Sequence, residues 1–240
     1  MTFALFATLV LAASAAIAAP QFSPPPAGLG SPLSGKRTCA IKQTLTVPAN
    51  QTVLTNPTTS ASFVLLGVGV QNYTCSTAGT YASIGAVADL YDLSCLSAVP
   101  AAFNAIQDQA FAVWNASKST AVPRLGASAN GCNPLMGAHY FVTSPSGTGL
   151  SPVWDFRGAS AKGNPNAFVL AAKVGDLPAP TGSQDVDWLQ LKNVTGGLAT
   201  SIYRMNTKGG QPPASCTAGS APISVKYTSK YWLYGSSITV

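Results

Sequence analysis

"ISVKYTSKYWLY", Ile223 to Tyr234, decides how this chain folds. Ile223, Val225 and Tyr227 fall on one side of an extended chain, and Ser224, Lys226 and Thr228 fall on the other. A period of two marks a strand with one buried face. Upstream, "SFVLLGVGVQNYTC" (Ser62–Cys75) is rich in Val and Leu and carries two glycines. It predicts a buried strand with a bulge or a close backbone approach near Gly67 or Gly69. "YASIGAVADLY", "AHYFVT", "PVWDF", "AFVLAAKV", "VDWLQLKN" and "ATSIYRMNT" add further strands, broken by Gly, Pro, Asn and Ser. Many short strands at this spacing predict a mainly β protein, an antiparallel β-sandwich or barrel.

One segment has a different period. Phe103, Ile106, Ala110, Val113 and Trp114 recur at helical spacing, with Pro100 in the first turn. They predict one amphipathic helix at about residues 100–117, covering part of the sheet. Its aromatic stripe reads as core.

Composition sets the compartment. Apolar residues make up 47% of the 240, enough for a sizeable core. Charged residues make up 8%, against about 25% in ordinary globular proteins. There is no Glu, so Ser, Thr, Asn, Gln and Gly must cover the surface. "MTFALFATLVLAASAAIAAP" is an apolar run followed by small residues, with Ala16-Ile17-Ala18 as an A-x-A cleavage site. Residues 1–18 are therefore expected to be a signal peptide, with no stable membrane insertion after cleavage. Residues 19–39, rich in Pro, Gly and Ser, read as a flexible leader. Residues 40–240 read as a single β-rich domain. Export to the extracellular space or the cell wall is the expectation. Asn50, Asn72, Asn115 and Asn193 head N-x-S/T sequons and are candidate glycosylation sites. Cys39, Cys75, Cys95, Cys132 and Cys216 predict two disulfides and one leftover thiol, with the pairing open.

Few side chains could carry chemistry. No G-x-S-x-G elbow, calcium loop or multi-histidine zinc pattern occurs, so no metal or cofactor is expected. Gly67-x-Gly69 leads to Asn72 where a nucleotide fingerprint needs its third glycine. The formal charge of +6 is scattered, which reads as a mildly basic exterior, or as attraction to anionic polysaccharide or a membrane surface, and not as a nucleic-acid stripe. His139 in "GAHYF" is the only histidine. It reads as a partly buried imidazole bonded to Asp155 or a backbone carbonyl. The functional alternative places it with Trp154 and Asp155 in an acid–base or ligand site. Arg204 falls mid-strand and, if buried, needs a carboxylate such as Asp155 or Asp187. Trp154, Tyr231 and Trp232 read as packing, with an exposed sugar-stacking platform as the alternative. Gly209-Gly210 predicts a turn and Pro212-Pro213 a stiff exit toward Cys216.

"GVGVQNYTC", "GAHYF", "VWDF", "DWLQL", "YRMNTKGGQPPASC" and "VKYTSKYWLYG" occur in one order over roughly residues 45–235. In this the chain resembles the domain of unknown function 3455 family, found among exported proteins of fungi and bacteria. The resemblance implies a signal peptide, a single β-rich domain and no established activity. Cys75, Cys216, His139, Trp188, Arg204, Thr207, Gly209, Gly210 and Tyr231 fall on recurring family positions. Cys39, Cys95, Cys132 and the helix look like additions of a longer subgroup. Similar proteins sometimes carry a malate dehydrogenase label, against which the incomplete nucleotide fingerprint argues. The sequence thus favours a module that binds polysaccharide or another extracellular partner. The alternative is a secreted hydrolase-like enzyme using His139 and Asp155, with Arg204 a weaker catalytic candidate.

Overall fold

In a computed structural model of the chain, residues 39–119, 121 and 135–240 are described. The expected signal peptide, the leader up to residue 38 and Cys132 lie outside the described residues. Eight strands follow in order: β1 (Ala61–Cys75), β2 (Tyr81–Asp92), β3 (Leu135–Thr143), β4 (Leu150–Asp155), β5 (Phe168–Leu177), β6 (Trp188–Thr195), β7 (Ser201–Gly209) and β8 (Ile223–Tyr234). Each pairs antiparallel with the next, and β8 returns to pair with β1. The sheet is a closed barrel. Closure decides against the sandwich, because β1 and β8 satisfy each other's backbone and leave no edge.

The interior is filled by side chains of unequal size. Tyr227, Tyr231, Trp154, Phe63 and Phe156 are the large ones; Gly67, Ala86 and Ala88 make room for them. At Gly67 a Cβ would lie 2.4 Å from the Tyr231 ring, so the expected close approach is real. The bulge falls elsewhere: β1 slips register against β2 between Gln71 and Tyr73. An eight-stranded barrel has an interior just wide enough for packed side chains.

A second apolar layer lies outside the barrel. Helix α1 (Pro100–Ala116) crosses β1, β7 and β8, starting with proline as the sequence predicts. Phe103, Gln107 and Trp114 are its buried residues. Val113, expected on the buried stripe, is 69% exposed. The stripe runs 103, 107, 110, 114, which carries the helix contact one position away from Val113. Val64, Leu66, Val68 and Trp232 face this layer, so β1 and the second half of β8 are buried on both sides. Outward residues of β8 thus include Thr228 and Lys230, both sealed under α1. Thr228 Oγ1 donates to the Gln107 carbonyl (2.8 Å), and Lys230 Nζ donates to Gln107 Oε1. The segment before β1 packs on the same layer through Val47 and Leu54.

Two disulfides hold the periphery. Cys39–Cys95 ties the entering segment to the chain after β2, and Cys75–Cys216 ties the end of β1 to the loop before β8. Gly209 (φ +67°) and Gly210 (φ +92°) do turn the chain. They end β7 and open a loop over residues 211–222 before β8 begins.

Lys230 yields a test of the helix–barrel seam. It is 2% exposed, and burial lowers its pKa from 10.5 to about 8. The charged form therefore costs stability below pH 8 in full. The cost fades as pH rises from about 8 toward 10.5, where the unfolded chain holds more protons. Lys230→Met should raise the melting temperature at pH 7. In parallel melts, its lead over wild type should shrink between pH 8 and 10.5. A constant gap would mean that Lys230 is not desolvated under α1.

Candidate functional site

The up-and-down register collects four connections at one end of the barrel: residues 76–80, 144–149, 178–187 and 210–222. Four sequence-predicted site residues, His139, Trp154, Arg204 and Tyr231, sit inside the barrel. The alternation of each strand decides which of them meet.

His139 pairs with Trp154 across β3 and β4, and both point inward. The imidazole stacks on the Trp154 indole (4.4 Å between centroids, 22° between planes) and contacts Phe141 and Tyr231. It is 2% exposed. Its Nδ1 lies 2.8 Å from the Val153 carbonyl, which can only accept, so Nδ1 carries the proton. Burial lowers its pKa from 6.5 to about 3; the Val153 hydrogen bond opposes this and Arg204 adds to it. The imidazole is therefore neutral at physiological pH and held by a backbone carbonyl.

Asp155 does not join it. Ala138 is its partner across the ladder, so its side chain lies on the outer face, one residue out of phase with His139. There it accepts from Tyr140 Oη (2.7 Å) and forms a two-pronged ion pair with Arg157 (2.9 and 2.7 Å). Burial pushes the Asp155 carboxyl up, but hydrogen bonds from Arg157 and Tyr140 outweigh it and hold the pKa below its ordinary value. The expected His139–Asp155 pair is thus corrected by strand parity. So is the expected Arg204–Asp155 pair: Arg204 points inward on β7, and its Nε donates to the Asp187 backbone carbonyl (3.0 Å). An exposed aromatic platform is also overturned: Trp154, Tyr231 and Trp232 are 1%, 0% and 3% exposed. Trp154 and Tyr231 pack the interior, and Trp232 packs against Phe103 of α1.

What the end of the barrel does present is an open groove of about 710 Å³. It lies between the last turns of α1 (Phe111, Asn115), the 183–184 loop, Gly209–Pro213 and the start of β8. No motif in the sequence marks it, because its walls come from four distant segments. Phe111 lies over Gly209, where a Cβ would meet its ring at 2.4 Å. Gln184, Gln211, Ser183 and Ser224 supply amides and hydroxyls, and Pro212, Pro213, Ile223 and Val225 supply apolar surface. Lys226 lines it too, but its ammonium caps α1, donating to the Trp114 (3.0 Å) and Ser117 carbonyls. No carboxylate lines the groove. The Tyr73 hydroxyl donates to the Gly210 carbonyl (2.8 Å), and Cys75–Cys216 anchors the loop beyond Pro213.

The sequons separate by exposure. Asn50 and Asn115 are exposed. Asn72 is 5% exposed, and its Oδ1 accepts from Ser224 Oγ (2.7 Å). Asn193 Nδ2, the atom a glycan would occupy, donates to the Gly196 and Ala199 carbonyls (2.8 and 2.5 Å).

Two outcomes follow. Glycopeptide mapping after eukaryotic expression should find sugar on Asn50 and none on Asn72. His139→Gln should lower the melting temperature and remove an acid-sensitive component. The unfolded histidine takes a proton below about pH 6.5, whereas the folded one resists to about 3. Stability therefore falls as pH drops below 6.5, by about 2 kcal/mol at pH 5. With one His and no Glu, the chain has few other groups that titrate in this window. Equal losses in wild type and variant between pH 6.5 and 5 would rule out a buried, neutral His139.

No curated protein and no solved structure matches the chain. Residues 56–235 match the family described as "Protein of unknown function (DUF3455)". The match runs from just before β1 to just after β8 and takes in every strand, α1 and Cys75–Cys216. The chain belongs to the domain of unknown function 3455 family.

Proposed function

We propose that this chain is an exported binding module whose groove takes a neutral, hydroxyl-rich ligand such as a segment of wall polysaccharide. Export rests on the amino-terminal signal pattern and is supported by two disulfides, which persist in oxidising compartments. The reading is carried by the chemistry of the groove. One aromatic ring, several amides and hydroxyls, and a single cation, Lys226, whose ammonium is turned onto the carbonyls that end α1, suit a ligand that offers hydroxyls and an apolar ring face. A volume of about 710 Å³ falls within the range of ligand sites, and large side chains fill the barrel interior.

The test is co-sedimentation with insoluble β-glucan and chitin. Wild type should pellet with at least one of them. Phe111→Ala and Gln211→Ala should weaken retention about tenfold, the loss expected for a contact near the centre of a site. Wild type left wholly in the supernatant by both would end the polysaccharide reading. Retention unaffected by either substitution would move the site off the groove.

A further inference from the structure

A second, smaller space lies between β3, β4, β6, β7 and β8, inside the barrel. Its volume is about 20 Å³, room for one compact group. Arg204, Trp154, His139 and Tyr231 line it, with Leu189 and Leu191 among its apolar walls. Two donor groups line it without a protein partner among the described residues: the buried Trp154 indole N–H and the terminal amino groups of the half-buried Arg204. Trp154 is 1% exposed, and its indole Nε1–H has no partner. The guanidinium of Arg204 uses Nε on the Asp187 carbonyl, and its two terminal amino groups donate to no protein group among the described residues.

The charge of Arg204 is also uncompensated at contact distance. No carboxylate lies within 4 Å of it among the described residues. Asp187 feels it electrostatically, and burial and the neighbouring Asp176 push the Asp187 carboxyl above its ordinary value. Arginine cannot shed its proton to escape a poor environment. A guanidinium fork and an indole N–H beside one small cavity are the donor set for a compact monoanion.

We propose that this cavity is an anion subsite, with the Arg204 fork and the Trp154 N–H as its donors, sized for a single carboxylate group or a halide. His139 serves it as a positioning residue: stacked on Trp154 and tied to Val153, it fixes the plane of the indole. The inference is independent of the polysaccharide reading, because the groove shares no lining residue with this cavity.

The experiment is a titration of the full mature chain, with ¹⁵N-labelled tryptophan, using sodium formate, sodium chloride and sodium sulfate at constant ionic strength. Four indole N–H signals are expected, and Trp154→Phe assigns the relevant one. Formate or chloride should shift the Trp154 signal saturably. At a hundredfold excess over Kd, it should raise the melting temperature by roughly 5–10 °C. Sulfate, too large for the space, should do neither. A response to formate and not chloride identifies a carboxylate site, and equal responses identify a general small-anion site. Arg204→Gln should abolish the shift, and Arg204→Lys, which keeps charge without the fork, should weaken it at least tenfold. A Trp154 signal that stays fixed with both small anions overturns the proposal, as does an unchanged response in a folded Arg204→Gln protein.

Discussion

The pairing of β1 with β8 is the constraint on which the rest of this molecule depends. The two strands register from Phe63 against Leu233 to Tyr73 against Ile223. They are drawn from opposite ends of the barrel sequence, so their contact closes a very long loop. Without it, both would be edge strands with apolar residues on both faces, the pattern most prone to aggregate. Two features hold the seam. Helix α1 lies across its outer side, and Cys75–Cys216 bridges its end over a sequence separation of 141. On the chain-entropy account, a crosslink over a loop that long stabilises by about 5 kcal/mol. The same disulfide restrains the loop that forms one wall of the groove, so closure and groove geometry share one anchor.

A barrel closed this tightly has consequences for function. Tyr227, Tyr231, Trp154 and Phe156 occupy the space that a wider barrel would leave to a ligand. The open groove lies instead at the mouth, where the connecting loops set the surface. Loops carried by a rigid scaffold are where binding chemistry can vary without cost to the fold.

The strands were legible because alternation survives even in short runs, and the helix because Phe103 and Trp114 keep helical spacing with Pro100 at the start. Other features depend on information that no single segment holds. In "YTSKYWLY" both strand faces are buried, so alternation alone does not reveal that Thr228 and Lys230 lie under a helix. Gln107 looks like a surface residue of α1, yet it is 5% exposed and receives Lys230. His139 and Asp155 looked compatible as a pair. Cross-strand register separates them, because Asp155 opposes Ala138 while His139 opposes Trp154. The groove has no local signature at all. The family match adds the boundaries of the barrel and leaves its chemistry to be read from the side chains.

In a chain with 8% charged residues, how each sheltered charge is neutralised carries unusual weight. Asp155 has Arg157, Asp176 has Lys173, and Lys208 reaches both Asp108 and Asp185. The exposed Lys173–Asp176 pair stabilises by no more than about 1 kcal/mol, whereas Asp155 and Asp185 are sheltered carboxylates met by cations closer to the surface. Three cations depart from the pattern, and of these Lys226 donates to the Trp114 and Ser117 carbonyls at the end of α1. Lys230 has a way out, because its pKa falls to about 8 and it can relinquish its proton at modest energetic cost. Arg204 has none, since a guanidinium stays charged in any protein environment. A structural role could be served by a neutral donor to the Asp187 carbonyl, with no charge to desolvate. Arg204 thus keeps its charge half-buried inside the barrel, where its one protein hydrogen bond among the described residues is to the Asp187 carbonyl.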